Sequence, residues 1–221
     1  MKIINGNRKS VELKAAKLIS KLLRKKAKNR EVVFGIPGGN SVQGILRNLR
    51  DKKIPWNKIH IFMADERLVP LTDKKSNYRI VKESLLDYLI KNKKISKENI
   101  HPFNPKKSVK EYTKELKKYG GKFDILLLSS GEDGHIASLF PNHICKGKGY
   151  KLITNSPKPP KKRVTISEEL VKNADTGIIV FFGEEKREAL NKFLAKKSDI
   201  PAKLITCQKN YYIFTDLKRK K

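Results

Sequence analysis

The sequence predicts an α/β fold, a mainly parallel sheet with helices on both faces, and three observations carry that prediction. Short runs that are apolar throughout (EVVFGI, KIHIFMA, FDILLLS, TGIIVFF) alternate with segments whose apolar residues recur at helical spacing. Apolar runs without alternation belong to strands buried on both faces, as in parallel sheets. Polar clusters follow three of these runs, the position at which open, Rossmann-like sheets bind their ligands.

In chain order, residues 11–23 carry a helical stripe (Val11, Ala15, Ala16, Leu18, Ile19, Leu22, Leu23) with a lysine-rich back. Residues 31–36 form a strand stopped by Pro37-Gly38-Gly39, and residues 41–49 resume helical spacing, so a glycine loop joins a strand to a helix start. Residues 58–64 read as a strand ending at Asp65-Glu66-Arg67, followed by a helix over 76–90. Residues 123–129 read as a buried strand followed by Gly131-Glu132-Asp133-Gly134-His135. Residues 176–182 form another buried strand and 184–196 another helix. The stretch 143–162, rich in Lys, Gly and Pro, is longer than an ordinary connection and is expected to be mobile or functional.

The chain has 221 residues, 38% of them hydrophobic, enough for one core. A single domain over residues 1–217 with a basic, disordered tail at 218–221 is expected. Lys and Arg number 51 against 22 Asp and Glu, a net charge of +29. That excess is also the footprint of a nucleic-acid-binding protein. Against that class, the basic residues are spread over the whole chain, Lys outnumbers Arg 41 to 10, and only 8% of residues are aromatic. A solvated lysine-rich surface is the favoured reading. No apolar run approaches the ~20 residues of a membrane span, and the N-terminus lacks a signal-peptide core, so a cytoplasmic protein is expected. Cys145 and Cys207 form no CxxC motif, which indicates neither a disulfide framework nor a zinc ribbon.

The chemistry concentrates in the three clusters. Gly38-Gly39-Asn40-Ser41 can present backbone N–H groups and a helix N-terminus to a phosphate. Two cations could assist it: Arg163, before Val164-Thr165-Ile166, and Lys186, in the expected first turn of the helix after Gly183. A lysine there opposes the helix dipole, which favours an anion beside it. Asp65 and Glu66 are adjacent on a strand end and point to opposite sides, so at most one should face the crevice. Arg67 has a planar fork suited to a carboxylate, a phosphate or a developing oxyanion. His135 is the best candidate for proton transfer, with Asp133 two residues earlier to orient it. His60, His101 and His143 have no comparable sequence neighbours and are expected to be structural or superficial. No histidine pair has metal-ligand spacing.

Taken together, GIPGGNSVQGIL, ADERLVPLTDKKSNYRI, FDILLLSSGEDGHIASLFP, RVTI, FFGEEKREAL and IPAKLI, in this order, resemble the 6-phosphogluconolactonase family of the glucosamine/galactosamine-6-phosphate isomerase superfamily. The resemblance runs from about Val32 to Phe214. It implies the sugar-phosphate isomerase/deaminase-like fold and hydrolysis of 6-phospho-D-glucono-1,5-lactone in the oxidative pentose phosphate pathway. It implies a small sugar-phosphate substrate, no cofactor, and a monomer or homodimer. By the same resemblance, Gly38, Gly39, Asn40, Ser41, Arg163 and Lys186 would hold the phosphate. His135 would be the base, with Asp133 beside it, and Arg67 would steady the carbonyl oxygen. The related sugar deaminases show DEY where this chain has Asp65-Glu66-Arg67, and GHIAFNEP where it has residues 134–141, so the acid of their ring-opening His/Glu pair is missing here. A deaminase/isomerase, using Asp65 for enolisation, is the alternative enzyme. Ser129 and Asn40 depart from the family pattern, at the first glycine of a GxGxDGH run and at a small hydroxyl residue of the loop.

Overall fold

The computed structural model describes residues 2–142 and 145–218. Seven strands form one sheet, all neighbours parallel: β1 (Lys2–Asn5), β2 (Val32–Ile36), β3 (Ile59–Met63), β5 (Ile100–His101), β6 (Ile125–Ser129), β9 (Thr176–Phe181) and β10 (Asn210–Thr215), in the order β1-β10-β9-β6-β2-β3-β5. β2, β3 and β9 are buried at every residue, as their unbroken apolar runs require.

Helix α1 (Arg8–Lys26) starts where the Asn7 side chain accepts the Ser10 N–H, and ends in Arg24, Lys25 and Lys26, cations that suit a C-terminal dipole. With α2 (Asn40–Leu49), α3 (Asn77–Val81) and α4 (Asp87–Lys91) it packs on one sheet face through Ile19, Ile45, Leu46 and Leu85. α3 and α4 are one helix over 77–91 with a π turn at 82–86, close to the expected 76–90. The opposite face is covered by α5 (Val109–Lys118), which opens on a Ser108/Glu111 capping box, by α6 (Glu168–Lys172) and by α7 (Arg187–Leu194).

The structure departs from the sequence reading in several places. A second, antiparallel sheet of β4 (Asp65–Arg67), β8 (Arg163–Ile166) and β7 (Tyr150–Ile153) stands beside the first. The irregular stretch 143–162 therefore contains a strand, β7, held on β8 by backbone pairing; His143 lies outside the described residues. The helix expected over 184–196 is a 3-10 turn at Glu184–Lys186 followed by α7, so Lys186 ends that turn rather than sitting inside an α-helix. Of the expected tail, residues 219–221 lie outside the described residues.

Candidate active site

Because the main sheet is parallel, the segments after β9, β6, β2 and β3 emerge side by side along its carboxyl edge. They carry Lys186, Asp133 and His135, the glycine loop, and Asp65 to Arg67 respectively. Side-chain contacts tie them together, and these contacts give the site its geometry.

Gly39 caps α2 with φ +94°, a backbone conformation suited to glycine. Gly38 is needed for a different reason: a Cβ there would lie 2.2 Å from Asn77 Oδ1. The loop thus rests directly on the first residue of α3. Arg8, at the start of α1, donates to the Ser41 carbonyl at 3.2 Å and lies 4.0 Å over the Phe182 ring. The reasoning from sequence missed Arg8. The signal was present, since a cation in a first helical turn is the same anomaly noted for Lys186.

Neither Asp65 nor Glu66 is an open crevice carboxylate. Asp65 is 5% exposed, and its carboxylate accepts hydrogen bonds from Asn77 Nδ2 at 2.9 Å and Ser138 Oγ at 2.7 Å. Glu66 is 1% exposed and accepts from the N–H groups of Arg67, Asn77 and Tyr78 and from the Ser76 hydroxyl. It anchors the N-terminus of α3. Burial pushes its carboxyl above the ordinary range, although the three N–H groups pull the other way. Arg67 donates through Nη1 to the Lys75 carbonyl at 2.7 Å, while its buried Nε finds no partner among the described residues. It is directly opposite Arg163 in the β4–β8 pairing, so the two guanidinium stems leave the same face of the small sheet.

His135 Nδ1 lies 2.5 Å from Asp133 Oδ1, and the same oxygen accepts the His135 backbone N–H at 3.2 Å. Partial burial opposes ionisation of Asp133, but the His135 hydrogen bonds and charge, with Lys158 nearby, hold its carboxyl well below the usual carboxylate range. An ionised Asp133 accepts from Nδ1–H, which leaves the lone pair of the ring on Nε2. The ring stands 4.6 Å from that of Phe140 and fills the space beside Gly131, where a Cβ would lie 2.0 Å from it. Glycine at 131 is what admits the imidazole.

The two expected phosphate cations have different surroundings. Lys186 Nζ is 3.5 Å from Glu132 Oε1, in the loop after β6. Arg163 is 4% exposed and already heavily engaged: its guanidinium donates to the carbonyls of Lys158, Pro159 and Pro160 at 2.9–3.1 Å and to Ser138 Oγ at 3.4 Å. Burial lowers its pKa from the ordinary arginine value, with Asp65 opposing and Arg67 adding to the shift. Arg163 therefore clamps the 158–160 segment, a structural duty the sequence did not reveal.

His60 and His101, expected to be structural or superficial, are buried and paired with residues distant in sequence. His60 Nδ1 and His101 Nε2 are 3.0 Å apart, His101 Nδ1 is 2.6 Å from Glu115 Oε1, and His60 Nε2 is 3.4 Å from Glu31 Oε1. His60 lies on β3 and His101 on its neighbour β5, where it pairs with Phe62. Among the described residues no group of three or more His, Cys, Asp or Glu could hold a metal ion, and no helix is long and apolar enough to cross a membrane.

Known proteins share this fold. The family model for glucosamine-6-phosphate isomerases/6-phosphogluconolactonase matches residues 6–214. A 6-phosphogluconolactonase of Borreliella burgdorferi is 32% identical over 203 residues, covering 87% of this chain and 86% of its own length. The crystal structure of 6-phosphogluconolactonase from Thermotoga maritima superposes with a TM-score of 0.87 at 25% identity, over 98% of this chain and 99% of that one. A monomeric glucosamine-6-phosphate deaminase shares the fold, with a TM-score of 0.84 at 18% identity over 98% and 97% of the two chains.

Proposed function

The chain belongs to the family of glucosamine-6-phosphate isomerases and 6-phosphogluconolactonases, and from that premise we propose that it hydrolyses 6-phospho-D-glucono-1,5-lactone to 6-phosphogluconate, the lactonase step of the oxidative pentose phosphate pathway. The observation that carries the choice between the two activities is Phe140. It occupies the position of the glutamate in the deaminase motif GHIAFNEP, and its ring stands 4.6 Å from His135. An aromatic ring can pack an imidazole but cannot pass it a proton. What remains is a histidine oriented by one aspartate, a base for water rather than a ring-opening pair.

The chemistry then runs on this chain's own groups. Asp133 holds the Nδ1–H of His135, so Nε2 takes a proton from water as the water oxygen attacks the lactone carbonyl carbon. The carbonyl oxygen becomes an oxyanion, to which the buried Nε–H of Arg67, without a partner among the described residues, would donate. Collapse breaks the bond between that carbon and the ring oxygen, and the imidazolium returns its proton there to make the hydroxyl. The new carboxylic acid loses its proton to solvent. Water is the only co-reactant, so the balance calls for no cofactor. A six-membered lactone also opens spontaneously, so the acceleration required is modest.

The substrate's phosphate would lie at the glycine loop, Gly38 to Ser41, where the N-terminus of α2 offers amides, with Lys186 and Arg163 contributing positive charge. The test is acid release from freshly prepared 6-phosphogluconolactone in a pH-stat, corrected for spontaneous opening, alongside ammonia release from glucosamine 6-phosphate. Acid release well above the spontaneous rate with no ammonia is expected. Ammonia release without lactone hydrolysis would overturn the proposal.

A further inference from the structure

Asn77 stands where the glycine loop and the Asp65 carboxylate come together. Its amide nitrogen donates twice to Asp65, to the backbone carbonyl at 3.0 Å and to Oδ1 at 2.9 Å. Both partners are acceptors, so the amide can face them only with its NH2, and the carbonyl oxygen must point the other way. On that side lies Gly38, whose hypothetical Cβ would be 2.2 Å from Asn77 Oδ1 and 2.3 Å from Cγ. Oδ1 is buried and accepts no hydrogen bond among the described residues. A buried acceptor without a donor weakens a fold, so its retention under this loop asks for another reason.

We infer that Asn77 is a positioning residue that sets the glycine loop against the crevice floor, and that through this spacing it gives the site its preference for a 6-phosphorylated lactone over the unphosphorylated sugar lactone. The inference rests on the lactonase reading above. In the substrate the reacting carbonyl carbon and the carbon that bears the phosphate arm flank the same ring oxygen, so the distance between the phosphate and the carbonyl is restricted to a narrow range. A site that grips both must therefore hold its phosphate loop and its catalytic groups at one matching separation. The loop follows β2, whereas Asp65 and Arg67 lie on β4. Asn77 is bonded to the second and packed under the first. From Asp65 the connection continues through Ser138 at 2.7 Å to Arg163 at 3.4 Å, and so to the other proposed phosphate cation.

The test measures kcat and KM for 6-phosphogluconolactone and for unphosphorylated glucono-1,5-lactone, with melting temperatures, in wild type, Asn77→Ala and Asn77→Ser. Alanine keeps the backbone N–H that donates to Glu66 at 2.7 Å and removes the amide beneath Gly38. Serine keeps a hydroxyl donor for Asp65 but is too short to support the loop, and serves if the alanine variant folds poorly. Displacement of the loop by a fraction of an ångström should lower kcat/KM on the phosphorylated lactone by ~10–100-fold, mostly through KM, and by at least ~10-fold more than on the unphosphorylated one. Affinity for 6-phosphogluconate, measured by calorimetry, should fall in parallel. A purely structural role would lower the melting temperature and reduce both activities by the same factor, and that result, or no change on either lactone, would overturn the inference. If wild type hydrolyses both lactones equally well, the inference fails and the lactonase reading stands. If wild type accelerates neither, that reading fails and the inference falls with it.

Discussion

The Asp133 carboxylate and the His135 imidazole meet at 2.5 Å, Oδ1 to Nδ1, within a turn that also returns the His135 carbonyl to the Gly131 N–H at 2.8 Å. Two residues apart in sequence, they form a preset pair: the aspartate fixes the tautomer, and the turn fixes the ring. The pair supplies what a water-activating histidine needs, a bound proton on one nitrogen and a lone pair on the other.

Asp133→Asn keeps the size of the side chain but replaces the carboxylate that accepts the His135 Nδ1–H with an amide. We expect kcat to fall by roughly 10²-fold, the lower end of what a general base contributes, with KM nearly unchanged. Stopped pH-stat assays on the purified variant measure this directly. An unchanged kcat would detach Asp133 from the chemistry.

Arg163 and Lys186 should separate when each is replaced by alanine. Arg163→Ala strips donors from three backbone carbonyls of the 158–160 segment, so it should lower the melting temperature as well as raise KM. Lys186→Ala loses contacts of 3.5 and 4.0 Å with two exposed glutamates, Glu132 and Glu185, so it should raise KM with little change in melting temperature. Thermal denaturation and Michaelis kinetics on the same preparations distinguish these outcomes. An unchanged KM in either variant, whatever its melting temperature, would remove that residue from the phosphate site.

The buried histidine pair predicts a pH-dependent stability unrelated to catalysis. Burial lowers the pKa of His101 from its ordinary value of 6.5, with Glu115 partly opposing and His60 adding to the shift. A histidine whose pKa is depressed on folding binds protons more readily in the unfolded chain. Its stabilising contribution is therefore full above pH 6.5 and is lost as pH falls below that value. The melting temperature should drop on acidification below about pH 6.5, and His101→Phe, which preserves stacking on Phe62 at 4.1 Å, should flatten that drop. Melting curves over a pH series test this; the same slope in wild type and variant would assign the titration elsewhere.

What the sequence made legible follows from how local each signal is. The strand, glycine loop and helix around residues 32–49 show in a single stretch, because an apolar run, a Pro-Gly-Gly stop and a change of period stand next to one another. The Asp133–His135 pair was legible for the same reason. The antiparallel sheet was not, since β4 has three residues and its partner β8 lies about a hundred positions away. β10 was missed because NYYIFT begins exposed and only its second half is buried, so it shows neither a clean alternation nor an unbroken apolar run. The same distance in sequence hid the Asp65–Ser138 bond, the His60–His101 contact and the clamp that Arg163 makes. Asn77 lay within a motif noted from sequence, yet its position under Gly38 became apparent only in three dimensions.

The central claim is that His135 activates water, and the kinetics of a folded His135→Asn variant test it most directly. Asparagine keeps a polar side chain of similar reach but cannot take up and return a proton at neutral pH. With a melting temperature close to wild type, its kcat on 6-phosphogluconolactone should be lower by roughly 10²–10⁴-fold, while KM, governed by the glycine loop and its cations, should move little. A well-folded His135→Asn enzyme that retains more than ~10% of wild-type kcat, well short of the loss a missing general base causes, would contradict the account.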